Sequence, residues 1–239
     1  MPAHSSLADI AAEIGGRRLP ALFLDTCSTL DVIRCAARGQ PRIAAIVRQV
    51  IEARAAGELF LYGPSVLLKE AARNRVEVAS DASKKARAID QSMTAHQRVA
   101  AIIGANYPHT TPYSHESLIA PLIDLHDQLL AACDHIVSDG SLTVAAFSRA
   151  SDNRRPARKG GGANDCLLFE EFRSIAFAGP DVDPLVLLTT NLDDFGDKAL
   201  PGGVHQEIAN DLMGTRASVC LSWDLAASLV LGRVRLNSI

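Results

Sequence analysis

The sequence Pro184-Leu-Val-Leu-Leu-Thr-Thr190, followed at once by Asn191-Leu-Asp-Asp-Phe195, gives the clearest indication of a strand in this chain. A short, continuous run of Val and Leu is typical of a strand that is buried on both faces, as in a parallel sheet. Ala21-Leu-Phe-Leu24 and Leu59-Phe-Leu-Tyr62 have the same character, and residues 217–221 form a last short run. These runs predict a short, mostly parallel sheet.

Helical patterns separate the predicted strands. Residues 41–56 carry apolar side chains at helical spacing, and Pro64 stands where the first residue of a second helix belongs. Further helices are predicted at 164–177 and 224–231. The alternation predicts a three-layer α/β/α sandwich. Residues 80–150 contain three more helical patterns (82–103, 117–133 and 141–150), so we expect a helical insertion at 80–150 within a single domain that spans residues 1–239.

The composition is that of an ordinary globular protein. The chain has 239 residues, of which 48% are hydrophobic, and a formal net charge of −3, so any binding of nucleic acid requires a local basic patch. The five cysteines form no C-x-x-C pair, which argues against a zinc ribbon or a disulfide framework. There is no signal-peptide pattern and no apolar run of the ~20 residues that a membrane span needs. We therefore predict a cytoplasmic protein.

Acidic residues lie where the predicted strands end. Asp25 directly follows the first strand, and Asn191 and Asp194 follow the strand at 184–190. Glu70 lies on the helix after the second strand, and Asp165 lies in the first turn of its helix. Because ligands of an open parallel sheet gather beyond the carboxyl ends of its strands, these oxygen-bearing side chains are expected to meet at one edge.

Clustered carboxylates repel one another, and their pKa values rise unless a cation neutralises them. A hard divalent ion such as Mg²⁺ or Mn²⁺ accepts oxygen ligands of this kind, whereas the absence of matched His or Cys argues against zinc. A bound ion of this type can activate water and stabilise the leaving oxygen of a phosphodiester.

The order of these residues resembles the PIN-domain nucleases. The resemblance rests on Asp25-Thr26 after an apolar strand, Glu70 in Leu67-Leu-Lys-Glu, Asp165 opening a helix, and Thr190-Asn191-x-x-Asp194-Phe195. It implies a ribonuclease that depends on Mg²⁺ or Mn²⁺, with Asp25, Glu70, Asp165 and Asp194 as catalytic and metal-binding residues. Asn191, Thr26 and Ser28 would support them. The chain is similar to the larger members of that family, since residues 80–150 have no counterpart in the small toxin-type members.

Each acidic residue also has a plainer interpretation. Asp25 could cap a strand end, Asp165 could be a helix-start acid, Glu70 could be a solvated helix residue, and Asp194 could form an Asx turn. Asp197 is a rival of Asp194 as the late ligand.

A basic segment precedes Asp165. It contains Arg149, Arg154, Arg155, Arg158 and Lys159. Residues 151–162 are predicted to form an exposed loop, and the basic residues at 149–159 are predicted to position the RNA backbone without sequence preference. The plainer alternative is a solvated loop.

Three other functions stay open at this stage. A haloacid-dehalogenase-type phosphatase also begins with a strand-end Asp, but it needs a second Asp two positions later, where this chain has Cys27. A catalytically silent PIN-like RNA-binding or scaffold module would keep the fold and lack the metal. The chain could also be the toxin of a toxin–antitoxin pair, with an antitoxin protein as its partner. A homodimer is a further possible assembly, because related folds often pair.

Overall fold

The computed structural model describes residues 4–105, 114–137, 140–157, 162–179, 184–197, 199–200 and 203–237. Within these ranges the centre of the molecule is a six-stranded sheet in the order β1-β4-β3-β2-β5-β6. All neighbouring strands are parallel. The strands are β1 (His4–Ser6), β2 (Ala21–Leu24), β3 (Phe60–Gly63), β4 (Asp134–Val137), β5 (Leu185–Leu188) and β6 (Ala217–Cys220).

Helices connect the strands and cover both faces of the sheet. They are α1 (Leu7–Arg17), α2 (Thr26–Arg34), α3 (Arg42–Ala55), α4 (Leu67–Ile102), α5 (Ile119–Ala132), α6 (Gly140–Ser151), α7 (Ala163–Ala178), α8 (Leu192–Phe195), α9 (Gln206–Asp211) and α10 (Trp223–Asn237). Short 3₁₀ helices occur at Ala36–Arg38 and His115–Leu118.

The central strands are buried on both faces, as their apolar runs predict. Leu22 and Leu24 of β2 point to one core, which contains residues of α2, α3, α5 and α10. Ala21 and Phe23 point to the other, which contains residues of α1, α7 and α9. Phe23 meets Phe172 of α7 edge to face, with ring centroids 5.7 Å apart. The three-layer α/β/α sandwich is therefore confirmed.

The structure differs from the sequence prediction in α4 and in the segment 80–150, and it also contains β1 and α1, which were not predicted. The helix that begins after Pro64 and the helix predicted at 82–103 are one continuous 36-residue helix, α4. The segment 80–150, which we predicted as a helical insertion, is mostly helical in its described part but also supplies β4, which lies inside the sheet between β1 and β3. That stretch therefore contributes to the central sheet itself.

All five cysteines are free thiols. Among the described residues, no helix combines the length and the apolar character that crossing a bilayer requires.

Candidate functional site

The site lies where the sheet reverses its direction of winding. The connection from β2 to β3 packs on one face of the sheet, through α3, whereas β5 is preceded by α7 on the opposite face. β2 and β5 are nevertheless neighbours, with Leu24 paired to Leu188. A crevice forms beyond the carboxyl ends of two such strands, and this is where open α/β sheets bind their ligands.

Asp25 is the first residue after β2, and it is 3% exposed. The hydroxyl of Thr189, the first residue after β5, donates a hydrogen bond of 2.6 Å to its carboxylate. Asp25 is the N-cap residue of α2, but its side chain makes no capping hydrogen bond of normal geometry. The backbone amides of Thr26 and Cys27 at the start of α2 nevertheless favour the ionised carboxylate and oppose the rise of its pKa.

Glu70 reaches the same crevice from the first turn of α4. Its carboxylate accepts a hydrogen bond of 2.8 Å from the Thr26 hydroxyl and another from the side-chain amide of Asn164. Thr26 begins α2 and Asn164 lies in the first turn of α7, so Glu70 joins three helices. The hydroxyl of Ser28 instead donates a hydrogen bond to the Asp25 backbone carbonyl within the first turn of α2.

Asn191 connects the remaining two carboxylates. Its side-chain amide donates to Asp194 at 2.9 Å and to Asp165 at 3.5 Å. Its side-chain oxygen accepts from the Asp194 amide, so Asn191 also caps the short helix α8. Asp197, the rival of Asp194, instead accepts from the amide of Ala199 within its own turn. The contacts of Asn191 therefore place Asp194, and not Asp197, beside Asp165.

The carboxylates interact electrostatically. Burial, followed by the charges of Asp25, Asp194 and Glu70, raises the pKa of Asp165 from 3.8 to about 7. Burial and then the charge of Glu70 raise the pKa of Asp25 to about 6, against the opposing effect of the Thr189 hydrogen bond. Four acids from distant parts of the chain therefore lie within electrostatic range of one another.

These groups open into a cleft of about 410 Å³ whose lining includes Asp25, Thr26, Glu70, Asp165 and Asn191. Asp194 is not part of this lining, but it accepts a hydrogen bond from Asn191, which is. Within the described ranges, no three His, Cys, Asp or Glu side chains are arranged closely enough to hold a metal ion. Glu70 and Asp194 are instead occupied by their hydroxyl and amide partners.

The basic segment has a structural role in its described part. Arg149 is buried at the end of α6, where its guanidinium pairs with Glu170 and Asp211. It was predicted to be part of an exposed phosphate-binding loop, and this prediction is wrong because the two acids hold it in the interior.

Arg154 also pairs with Asp211, and Arg155 donates to the carbonyls of Asp193, at 2.9 Å, and Asp194. These hydrogen bonds of Arg155 thus connect the basic segment to the turn that contains Asp194. Binding of RNA by Arg154 and Arg155 remains a prediction, and Arg158 and Lys159 lie outside the described residues.

Two site residues were not predicted from the sequence, namely Thr189 and Asn164. Thr189 could have been found from strand register, because pairing Leu24 with Leu188 sets the following residues, Asp25 and Thr189, side by side. Asn164 precedes Asp165, but no local pattern indicates that it reaches Glu70 on α4.

The fold and the site define a parallel α/β protein with an acidic cluster at the topological switch point of its sheet. Comparisons with protein-family models, with curated proteins and with solved structures gave no match.

Proposed function

We propose that this chain is a metal-dependent nuclease that hydrolyses RNA phosphodiester bonds, with Asp25, Glu70, Asp165 and Asp194 as its catalytic acids. The observation that supports the proposal best is the raised pKa of Asp25, to about 6, and of Asp165, to about 7, in one cleft. Strongly perturbed acids in a cleft are typical of catalytic sites, and clustered negative charge creates a demand for a cation.

The donor set suits Mg²⁺ or Mn²⁺. The four carboxylates and the Asn191 amide offer oxygen atoms, the ligands that these hard ions prefer. When bound, such an ion would supply Lewis-acid activation of water and neutralisation of charge on the phosphate. Glu70 and Asp194 would have to exchange their present partners to join it.

The other polar residues of the cleft would orient these acids. The Thr189 hydroxyl fixes the Asp25 carboxylate, and Thr26 and Asn164 hold Glu70 from two helices. Asn191 keeps Asp165 and Asp194 as neighbours. A preorganised arrangement of this kind lowers the reorganisation that the reaction requires.

A phosphatase of the haloacid-dehalogenase type is less consistent with these residues. Its acid/base position is occupied by Cys27, whose thiol has a raised pKa through burial and the neighbouring charge of Asp25. A thiol with a raised pKa is a weak proton donor and does not ionise to act as a base near neutral pH, so it is a poor substitute for the carboxyl group.

The direct experiment is cleavage of labelled single-stranded RNA by the purified chain in Mn²⁺, Mg²⁺ or EDTA. Wild-type protein should cut only with metal, and Asp25→Asn and Asp165→Asn should each lose at least about 100-fold in rate. Asp124→Asn is the matched control, because Asp124 is an exposed acid on α5 outside the cleft lining. Wild-type protein that neither cleaves RNA nor binds Mn²⁺ in calorimetry would refute the proposal and favour a silent RNA-binding or scaffold module.

A further inference from the structure

The charge of the cleft is unfavourable for the substrate that the proposed function requires. Besides Asp25, Glu70 and Asp165, the lining includes Glu77 and Asp81. Glu70, Glu77 and Asp81 recur at helical spacing along one side of α4, so the acidic lining continues beyond the catalytic group. A phosphodiester carries a negative charge, and these carboxylates repel it.

Among the described residues that line this cleft, Arg34 is the one cationic side chain. It ends α2, the same helix that begins next to Asp25, and about a third of its side chain is exposed. Its positive charge acts on the Cys27 thiol, in the direction opposite to the charges of Asp25 and Asp165. The guanidinium therefore lies within the electrostatic range of the acidic group.

The present partner of Arg34 holds it only weakly. The distance from Arg34 Nη1 to Asp31 Oδ1 is 3.4 Å, whereas Arg38 Nη1 approaches the same oxygen to 2.7 Å. Because Arg38 already compensates the buried Asp31, Arg34 can leave this contact without stranding an unpaired carboxylate.

We propose that Arg34 binds the phosphate group of the substrate in this cleft, an assignment that rests on the proposed nuclease function. The guanidinium presents a planar fork of donors that matches two phosphate oxygens, which a Lys ammonium cannot reproduce. Since the acidic side of α4 repels neighbouring phosphates, Arg34 selects a single phosphate of the nucleic-acid backbone. This contact is independent of base sequence.

The experiment measures binding separately from cleavage. Fluorescence anisotropy of a labelled single-stranded RNA in Mn²⁺ is recorded with the Asp165→Asn variant, so that the RNA stays intact. Adding Arg34→Gln should weaken binding about 10- to 100-fold and reduce the slope of log affinity against log salt by about 0.7. Arg34→Lys should recover the salt slope but only part of the affinity.

Arg38→Gln is the matched control. Arg38 is the closer of the two partners of Asp31, and it does not line the cleft. If Arg34 only compensates Asp31, Arg38→Gln should weaken binding at least as much, and that result overturns the assignment. Arg34→Gln with unchanged affinity overturns it too. If RNA binding depends on Arg34 but wild-type protein does not cleave the RNA, phosphate binding by Arg34 is supported and the proposed nuclease activity is refuted. If wild-type protein does not bind RNA, both proposals are refuted.

Discussion

Replacing Asp25 with Asn should stabilise the metal-free protein at neutral pH. Burial raises the pKa of Asp25 from 3.8 to about 6, so the folded protein binds this proton more tightly than the unfolded chain does. The stability that this group contributes is complete below about pH 3.8 and is lost as the pH rises towards 6.

The size of the effect follows from the pKa difference. At about 1.4 kcal/mol per pKa unit, the change from 3.8 to about 6 costs about 3 kcal/mol once the group is ionised, and about 2 kcal/mol of this falls between pH 4.5 and 7.5. Asn removes the charge and still accepts the hydrogen bond from Thr189. We therefore expect Asp25→Asn to be more stable than wild type by up to about 3 kcal/mol at pH 7.5.

Urea unfolding in EDTA at several pH values between 4.5 and 7.5 measures this directly. Wild-type stability should fall with rising pH. In the variant the fall should be smaller by about 2 kcal/mol but still present, because Asp165, whose pKa is raised to about 7, keeps its own contribution. Asp124→Asn, which changes an exposed acid, should follow the wild-type curve. An Asp25→Asn variant that is less stable than wild type at pH 7.5, or that keeps the full wild-type slope, would show that ionised Asp25 does not destabilise the folded protein.

Two other substitutions test the turn that carries Asp194. Arg155→Gln removes the donor to the Asp193 and Asp194 carbonyls, and we expect about a tenfold lower kcat with a higher Mn²⁺ requirement. Arg154→Gln changes a residue that pairs with Asp211, and it should leave the Mn²⁺ requirement unchanged. A Cβ at Gly196 would lie 2.6 Å from the Leu192 carbonyl oxygen, so Gly196→Ala should destabilise the protein by about 1–3 kcal/mol in thermal unfolding. Gly16→Ala, in open space on α1, should instead stabilise it by about 0.5–1 kcal/mol, and the opposite order of the two would contradict the geometry.

The central strands were predictable because they are buried on both faces. β2 and β5 have no exposed residue, so their sequences are continuous apolar runs. β1 and β4 were not predicted, since His4–Ser6 is polar and at the edge of the sheet, and β4 has only two buried residues, His135 and Ile136. Short strands of this kind gain their stability from their neighbours and carry little signal of their own.

The full length of α4 was not predicted from the sequence for a related reason. Between Ala71 and Val78 its sequence is mostly polar and gives no apolar stripe. The helix continues there because its next apolar positions, Val78, Ala82 and Ala86, pack against α2 and α5 in a separate small core. Tertiary packing therefore extends a helix that local periodicity alone would divide.

The residues of the candidate site were likewise predictable only in part. Asp25, Glu70, Asp165 and Asp194 could be nominated because each follows or begins a predicted element, and the structure brings them into mutual electrostatic range. Their partners depend on which elements are neighbours in space. The Asn164 amide reaches Glu70, 94 positions away in the chain, because the first turns of α7 and α4 meet at the cleft, and no local pattern indicates this.

The bond between Thr189 and Asp25 closes a loop of 164 residues. Contacts of such long sequence separation form late, because the chain entropy of closing the loop must be lost before they contribute stability. A chain growing from its N-terminus holds Asp25 and Glu70 long before Asp165, β5 and Asp194 are made. The acidic group is therefore complete only after β5 has paired with β2, so its two halves are brought together by the last step of assembling the centre of the sheet.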